Sequence, residues 1–375
     1  MKKALIISFN YEEMARDPRV LRQIECCKNH FALTAIGIED PKLSFLRFIR
    51  LLPPERTLLK KIVWKFRAYE QQLWWKYGFQ KAYDILRSEE FDLIIANEIE
   101  SLPLSFALRK KAKIIFDAHE YYPKEFEESF LWRFFCREYY EHLCRTYIPL
   151  VDSMTTICKS IADSYQINYK KSCEIIMNTA KFHELKPSAI DISNIKLIHH
   201  GAAIKSRHIE TMIYMQDYLD DKYHLYLMLV GPKKSYYNYL QHIASKRRNV
   251  HFLDPVGIEQ IIPTLNQFDV GLYLLPDHNF NHKHALPNKF FEFVQARIAI
   301  AIGPSLEMAA LVREYDLGII AKDFSPQAMA NEIKTLNQKR IEYYKKQSNL
   351  AAQSLNDTQN IKKLHSLIKL ILENK

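Results

Sequence analysis

The feature that most constrains the fold of this chain is the alternation of short apolar, β-branched runs with helical patterns along nearly its whole length. The runs are continuously apolar, as expected for strands of parallel sheets that are covered on both faces. A first series of strands is predicted at 4–9, 33–38, 92–97, 113–118, 153–158 and 174–178. A second series is predicted at 196–201, 224–231, 250–254, 268–275, 297–303 and 317–321. The pattern predicts an α/β fold built from doubly wound parallel sheets.

A polar segment at 181–194, which contains Pro187, separates the two series. A chain of 375 residues is long enough for two domains of ordinary size. We therefore predict one Rossmann-like domain at 1–185 and a second at 193–355. Residues 356–375 repeat apolar side chains at helical spacing, and this stripe predicts a last helix that packs back on the N-terminal domain.

Glycine is rare in this sequence, with eight residues in 375. Neither the G-x-G-x-x-G fingerprint nor the G-x-x-x-x-G-K-[ST] loop occurs, which excludes these two modes of nucleotide binding. Two glycines, Gly201 and Gly231, directly follow predicted strands. Ligands bind at this edge of open parallel sheets, where glycine lets the backbone approach a phosphate closely. The alternative is that each glycine only shapes a tight turn.

Cations follow the first of these glycines. Lys205 and Arg207 lie in the loop between Gly201 and the next predicted helix. A cation beside free backbone N–H groups at a helix start suits a diphosphate. A solvated loop charge is the alternative.

The stretch ALPNKFFEFVQA, 285–296, places a carboxylate among aromatic side chains. Pro287 and Asn288 are good helix-start residues, and they predict a helix from Lys289 to Arg297. Glu292 is then expected in the first turn, where the positive helix end favours a carboxylate. The other interpretation is a buried carboxylate that needs hydrogen-bond donors, such as the hydroxyls of a ribose.

Five stretches of the chain, in this order, resemble the motifs of the retaining glycosyltransferases of the family 4 type, which have the GT-B fold. They are DPRVLRQIE (17–25), FDAHEYYP (116–123), HHGAAIKSRHIE (199–210), LVG with FLDPVGIEQIIPTLNQFDVGLYLL (229–231 and 252–275), and ALPNKFFEFVQA (285–296). Together they extend over essentially the whole chain. The resemblance implies two Rossmann-like domains whose parallel sheets face an interdomain cleft. It also implies transfer of a sugar from a nucleotide-sugar donor, as in bacterial surface-polysaccharide and glycolipid assembly.

The resemblance also implies roles for particular residues. His119, Arg207 and Lys289 are expected at the reaction centre, where the two cations stabilise the charge of the departing diphosphate. A neutral His119 imidazole would hydrogen-bond a sugar hydroxyl, although a turn histidine at the strand end is the alternative. The expected donor-binding residues are Gly201, Lys205, Gly231, Pro255, Val256, His284, Asn288 and Glu292. The expected acceptor-binding residues are Arg16, Arg19 and Glu120. Asp17, before Pro18, is most simply the cap of the first helix.

No metal and no cofactor is expected beyond the nucleotide-sugar co-substrate, for which a UDP-sugar is the first expectation from the resemblance. The sequence contains no D-x-D triplet, and a zinc site at His278, His282 and His284 is only a minor alternative. Two positions depart from the family pattern: Ala202 replaces an arginine and His284 replaces a glutamate. They favour one alternative function, a degenerate and non-catalytic GT-B partner protein at a membrane. A second alternative is a GT-B nucleotide-sugar epimerase.

Positive charge is concentrated at 42–87, which holds eleven Lys or Arg residues against three acids. We interpret this segment as cationic helices, divided at Pro53–Pro54, that contact an anionic membrane. An ordinary helix pair with a solvated basic face and, more remotely, nucleic-acid binding are the alternatives. The expected partners are therefore the nucleotide-sugar donor, a glycan or lipid-linked acceptor and a membrane surface, and not nucleic acid.

The six cysteines form no C-x-x-C pair, and we interpret them as reduced, mostly buried thiols. The first apolar run is too short for a signal peptide, and no run approaches the ~18 apolar residues of a spanning helix. The expected location is the cytoplasm, with peripheral contact at the inner face of the cytoplasmic membrane.

Overall fold

A computed structural model describes residues 1–9, 14, 17–52, 69–231 and 234–373, and within them the side chains of all residues except 72 and 76. The chain divides into two compact units. The first comprises Met1–Asn178, Asn279–Asn281 and Asn360–Lys375, and the second comprises Thr179–His278 and His282–Gln359.

In the described part of the first unit, seven parallel strands form one sheet in the order β3-β2-β1-β4-β5-β6-β7. The strands are β1 (Lys2–Ser8), β2 (Phe31–Gly37), β3 (Leu46–Arg50), β4 (Leu93–Asn97), β5 (Lys113–Ala118), β6 (Ser153–Thr156) and β7 (Glu174–Ile175). The strand order reverses between β1 and β4, so the carboxyl ends of these two strands flank a topological switch point. Crevices at such points are the usual ligand sites of open parallel sheets.

The helices among the described residues of this unit are α1 (Pro18–Cys27), α2 (Gln71–Lys76), α3 (Phe79–Leu86), α4 (Leu102–Ala107), α5 (Phe130–Phe135), α6 (Arg137–Tyr147) and α7 (Lys159–Tyr169). Three short 3-10 turns lie at Ile99–Ser101, Tyr122–Lys124 and Ile148–Leu150. The predicted cap of α1 is confirmed: the side chain of Asp17 accepts hydrogen bonds from the backbone N–H groups of Arg19 (2.9 Å) and Val20 (3.3 Å), with Pro18 at the first helical position.

The second unit contains, in its described residues, six parallel strands in the order β10-β9-β8-β11-β12-β13. They are β8 (Ile195–Ala202), β9 (Tyr223–Val230), β10 (Val250–Leu253), β11 (Val270–Tyr273), β12 (Ala299–Ile302) and β13 (Gly318–Ile320). Its helices among the described residues are α8 (Glu210–Met215), α9 (Lys234–Ala244), α10 (Ile258–Leu265), α12 (Asn288–Gln295), α13 (Leu306–Glu314), α14 (Pro326–Lys334) and α15 (Gln338–Ala351), while the short helix α11 (Phe280–Lys283) begins in the first unit and ends in the second. Two 3-10 turns lie at Lys205–Arg207 and Gln216–Tyr218. Each of the twelve predicted strands overlaps an observed one, and the switch point of this sheet lies between β8 and β11.

The last helix, α16 (Asp357–Glu373), contributes its residues from Asn360 onward to the first unit. Leu364, Ile368 and Ile371 are buried in the hydrophobic cluster beneath β1, β2 and β4. The side-chain amide of Asn360 donates to the carbonyl oxygen of Met177 at 2.6 Å. The apolar stripe read from the sequence is therefore the face that this helix buries.

The first unit ends at Asn178, before the boundary predicted at 185. The reason lies in His183, whose backbone N–H donates to the side-chain oxygen of Gln295 and whose carbonyl oxygen accepts from Arg297. These bonds tie the connecting segment to the second unit, which extends to Gln359 rather than to 355.

The predicted helical character of 42–87 is wrong at its beginning. Leu46–Arg50 forms β3, an edge strand that pairs with β2. Arg47 and Arg50 are exposed while Leu46 and Ile49 are buried, and charged side chains on an edge strand protect it from further pairing. The stretch 53–68, on which the proposed membrane helices also depend, lies outside the described residues. In the part of the chain that the structure describes, no helix is both long enough and apolar enough to cross a membrane.

Candidate functional site

Three residues of the predicted site, Gly201, Arg207 and Lys289, lie close together at the carboxyl end of β8. Gly201 has φ +119°, a backbone conformation that residues other than glycine rarely adopt. A Cβ atom built on it would lie 3.1 Å from Nζ of Lys289 and 3.9 Å from Nη1 of Arg207. The glycine therefore provides both the backbone conformation and the space in which two cationic side chains meet.

Lys289, in the first turn of α12, is buried and only 7% exposed. Its Nζ has no hydrogen-bond partner among the described residues and lies 4.4 Å from the centre of the Tyr273 ring. Burial, reinforced by the charge of Arg207 and opposed by Glu292, holds the Lys289 pKa well below its usual value. Because a buried polar group without a partner is costly, this amino group is suited to bind an incoming anion, which would favour its protonated form.

Arg207 ends the 3-10 turn after β8, and its Nη1 donates to the carbonyl oxygen of Ala202 at 3.3 Å. No carboxylate within the described residues pairs with its guanidinium. Lys205, in the same turn, is exposed. Because Ala202 carries no charge, the positive charge of this loop comes from Arg207 and Lys205.

Helix α12 begins at Asn288, with Pro287 as the capping residue, and ends at Gln295. Glu292 therefore lies in the second turn, so the prediction that it lies in the first turn is wrong. The helix starts one residue earlier than predicted and stops earlier because Arg297 adopts φ +61°. A favourable interaction with the helix end no longer accounts for this carboxylate, since that effect is confined to the first turn.

The carboxylate of Glu292 is 18% exposed, and its Oε2 lies 3.2 Å from Nε2 of His200. Burial raises the Glu292 pKa to about 7, against the opposing charge of Lys289. Burial, and then Lys289, lowers the His200 pKa to about 3, so this imidazole is neutral. The sequence analysis missed His200, although its place directly before Gly201 at a strand end was the available signal.

The other predicted donor contacts lie around this centre. Gly231 approaches the Tyr237 ring, and a Cβ on it would lie 3.0 Å from that ring, so packing alone explains this glycine. Pro255 and Val256 are exposed after β10, where Val256 lines a cavity of about 400 Å³. Asn288 is exposed and His284 is half-buried. The roles of all these residues in donor binding stay predictions.

In the first unit, His119 follows β5 and faces hydrogen-bond acceptors with both ring nitrogens. Its Nε2 lies 3.2 Å from Oδ1 of Asn97 and 3.5 Å from Asp117, and its Nδ1 lies 3.3 Å from Glu98. Burial alone would lower the His119 pKa, but Glu98 and then Asp117 outweigh it and raise the pKa to about 9. Glu98 in its ionised form, and then Asp117, favour a charged ring, and the hydrogen bond from a neutral His119 to a sugar hydroxyl stays a prediction.

Glu98 is a second residue that the sequence analysis missed. It follows β4 with φ +59°, which is strained for a side chain of this size. Its Oε2 accepts a hydrogen bond from the backbone N–H of Phe9 at 3.1 Å. Burial raises its pKa to about 8, against the charge of His119. With Asp17 and His119 it forms the one group of potential metal ligands found among the described residues, and the histidines of 278–284 are not part of it.

Arg19, predicted to meet the acceptor, is buried instead. It forms a bidentate ion pair with Asp117, with Nε–Oδ2 at 2.6 Å and Nη2–Oδ1 at 2.5 Å. Its Nη1 donates to the carbonyl oxygen of Ile176 and to Asn178. Arg19 therefore ties α1 to β5 and to the segment after β7, and its contact with the acceptor stays a prediction.

Arg16 and Glu120 are the other two residues predicted to bind the acceptor. Arg16 lies outside the described residues. The carboxylate of Glu120 accepts from the side-chain amide of Asn281 at 3.2 Å, and its carbonyl oxygen accepts from the hydroxyl of Tyr165. Its acceptor contact stays a prediction.

No protein-family model matches the chain, and comparison with curated proteins finds no relative. Solved structures do resemble it over its full length. Sucrose-phosphate synthase from Thermosynechococcus elongatus superimposes with a TM-score of 0.75 at 13% identity, covering 100% of both chains. A trehalose-phosphate synthase from Burkholderia vietnamiensis gives 0.72 at 9% identity, again over 100% of both chains. The Anabaena protein HepE, in complex with UDP and glucose, gives 0.68 at 14% identity over 98% of this chain and 100% of that chain. At these identities the likeness shows the fold, and the chain has the predicted GT-B fold of two Rossmann-like units.

Proposed function

We propose that the protein is a retaining glycosyltransferase that moves a sugar from a nucleotide-sugar donor to an acceptor. The observation that carries the proposal is the buried Nζ of Lys289, which lacks a hydrogen-bond partner among the described residues and stands beside Arg207 at the Gly201 turn. Two cations at a glycine turn fit a diphosphate, which offers several anionic oxygen acceptors.

The reaction assigned to this site depends on the leaving group. The bond between the anomeric carbon and the diphosphate oxygen breaks, and the acceptor oxygen forms the new bond on the same face of the sugar. The acceptor's proton leaves with the diphosphate. Arg207 and Lys289 stabilise the charge that grows on this leaving group, and Glu292, when ionised, accepts hydrogen bonds from the ribose hydroxyls.

A UDP-sugar is the proposed donor, in line with the resemblance of the motifs and with the UDP bound by the structurally similar HepE. The proposed acceptor is a glycan or lipid-linked glycan of the cell surface. We also propose that the protein works in the cytoplasm, at the inner face of the membrane, without a metal ion, and that residues 42–87 provide the membrane contact. In that segment Trp75 is 80% exposed.

The membrane contact is tested by sedimentation with vesicles. Binding to phosphatidylglycerol vesicles that exceeds binding to phosphatidylcholine vesicles, and that weakens in Trp75→Ser, supports it. Equal and negligible binding to both kinds of vesicle contradicts it.

The glycosyltransferase proposal is tested first by thermal unfolding with UDP, GDP, ADP and CDP. A ligand at 100 times its Kd stabilises the protein by about 2.7 kcal/mol. We expect one nucleotide to stabilise the wild type, Lys289→Met to lose this effect, and the exposed-lysine control Lys334→Met to retain it. Release of that nucleotide from its sugar conjugate, dependent on an acceptor extract, then tests transfer.

The outcomes separate the candidate functions. No stabilisation by any of the four nucleotides in the folded wild type contradicts the proposal. Nucleotide binding without turnover identifies the degenerate partner protein. A change of sugar configuration without an acceptor identifies the epimerase.

A further inference from the structure

His200 is a buried histidine whose chemistry the proposed reaction has not yet used. It is 5% exposed, its ring packs edge-to-face on Phe293 at 5.4 Å, and its Nε2 has no hydrogen-bond partner in the described part of the chain. That nitrogen nevertheless lies 3.2 Å from Oε2 of Glu292. The pair is thus in contact but not aligned, and a modest rotation of the carboxylate would complete a hydrogen bond.

The surroundings of His200 determine which of its states is available. Besides burial, the charge of Lys289 in α12 disfavours a charged imidazole at His200 and at the adjacent His199. His199 is already engaged through Nδ1 with the carbonyl oxygen of Leu272 at 3.0 Å. Arg207 adds positive charge from the turn after β8. A neutral ring carries one N–H, and an ionised Glu292 selects the form with that proton on Nε2.

The geometry points to a positioning role: we infer that His200 donates its Nε2–H to Glu292 and thereby holds the carboxylate ionised and oriented for the two ribose hydroxyls of a nucleotide. This inference rests on the proposed function, because it assigns the ribose to Glu292. The inference has a physical basis. The carboxyl group of Glu292 can accept hydrogen bonds through both oxygens only when it is ionised, and an N–H donor from His200 on another lone pair favours the ionised form.

The test compares ribonucleotides with their 2′,3′-dideoxy forms. The affinities of wild type and variants are measured for UDP, GDP, ADP and CDP and for the matching dideoxynucleotides, between pH 6 and pH 9. Each pair shares its base and diphosphate, so protonation of Lys289 or of the phosphate cancels in the affinity ratio. What remains is the contribution of the ribose hydroxyls.

Three variants separate the hydrogen bond from packing. His200→Phe keeps an aromatic ring against Phe293 but removes the donor. His200→Gln presents an amide N–H at about the reach of Nε2, and His200→Asn is polar but too short. At pH 7 we expect His200→Phe and His200→Asn to bind the ribonucleotide about tenfold more weakly, which corresponds to ~1.4 kcal/mol. The dideoxynucleotide affinity should stay within about twofold, and His200→Gln should restore most of the loss.

The pH profile gives a second readout. In His200→Phe the preference for ribose should return as the pH rises toward 9, because Glu292 without its donor ionises at higher pH. An unchanged ribose preference in His200→Phe overturns the inference, as does an equal loss for both nucleotide forms. Failure of the wild type to bind any of the eight nucleotides is a different result, since it contradicts the proposed function itself.

Discussion

Replacement of Gly201 by alanine tests the anion site most directly, because two effects of the added methyl group are readable from the structure. Gly201 has φ +119°, and a side chain forced into such a sparsely populated region costs about 1–3 kcal/mol. In a domain of 150–250 residues each 1 kcal/mol lowers Tm by about 2–4 °C. We therefore expect Gly201→Ala to fold but to melt roughly 2–12 °C below the wild type.

The second effect concerns the ligand. The new Cβ would stand 3.1 Å from Nζ and 3.6 Å from Cε of Lys289, so the Lys289 amino group must shift from the position in which it would meet the diphosphate. Loss of one charge-assisted hydrogen bond is worth about 1.5–3 kcal/mol, or at least roughly tenfold in affinity. At a nucleotide concentration of 100 times the wild-type Kd, a tenfold loss reduces the stabilisation from about 2.7 to about 1.4 kcal/mol. Thermal unfolding with and without UDP measures both numbers.

Gly78→Ala is the matched control. Gly78 also has positive φ, at +83°, but a Cβ on it would meet nothing closer than 3.7 Å. It belongs to the first unit. We expect Gly78→Ala to lower Tm without nucleotide about as much as Gly201→Ala does, and to keep the full stabilisation by UDP. If Gly201→Ala keeps the full stabilisation by UDP, or if Gly78→Ala loses it equally, then Gly201 does not shape the diphosphate site.

Three further results are expected. Binding of UDP to the wild type should be accompanied by proton uptake, because the empty site holds the Lys289 pKa well below its usual value and a bound diphosphate raises it. Calorimetry in buffers of different ionisation enthalpy measures the number of protons taken up. Equal proton uptake by Lys289→Met would contradict the reasoning. As the pH rises from about 6.5 to about 9, the free energy of unfolding of the wild type should fall more than that of Glu98→Gln, because folded His119 keeps a proton that the unfolded chain releases. An equal pH dependence of the two proteins would contradict an interaction between His119 and Glu98. Leu364→Ala should cost about 2–5 kcal/mol in urea unfolding, while the exposed Leu370→Ala should cost little, and equal losses would show that the helix does not pack as described.

Much of the fold was predictable because the strands of this protein are buried on both faces and read as continuous apolar runs. Strand β3 was not predicted because its sequence, LRFIR, carries two arginines, and a short apolar and basic run fits a cationic helix as well as an edge strand. Only pairing with β2 decides between them. The cap at Asp17 was predictable because it depends on neighbouring residues alone.

The candidate site was predictable where motifs carry it and not where tertiary contacts do. Gly201 and Arg207 were found from their positions at a strand end and in the loop before a helix, and Lys289 from the resemblance of the motif that contains it. Glu98 was missed because its importance arises from a strained backbone and from contact with His119, which lies on the neighbouring strand end. Arg19 was assigned to acceptor binding because its buried partner, Asp117, is 98 residues away in the sequence and no local pattern indicates the pair.

The position of α16 has a consequence for the order in which the chain can fold. The first unit is discontinuous: its cluster beneath β1, β2 and β4 is completed by residues that follow the entire second unit. During synthesis at about 5–20 residues per second, the ribosome needs roughly 10–40 s to proceed from Asn178 to Asn360. In that interval the second unit has all of its strands, while the first exposes the apolar groove that Leu364, Ile368 and Ile371 later fill. The nascent first unit is thus expected to expose apolar surface until the last helix is made, and a fragment ending at Asn178 is expected to aggregate unless that helix is supplied as a separate peptide or fused to it.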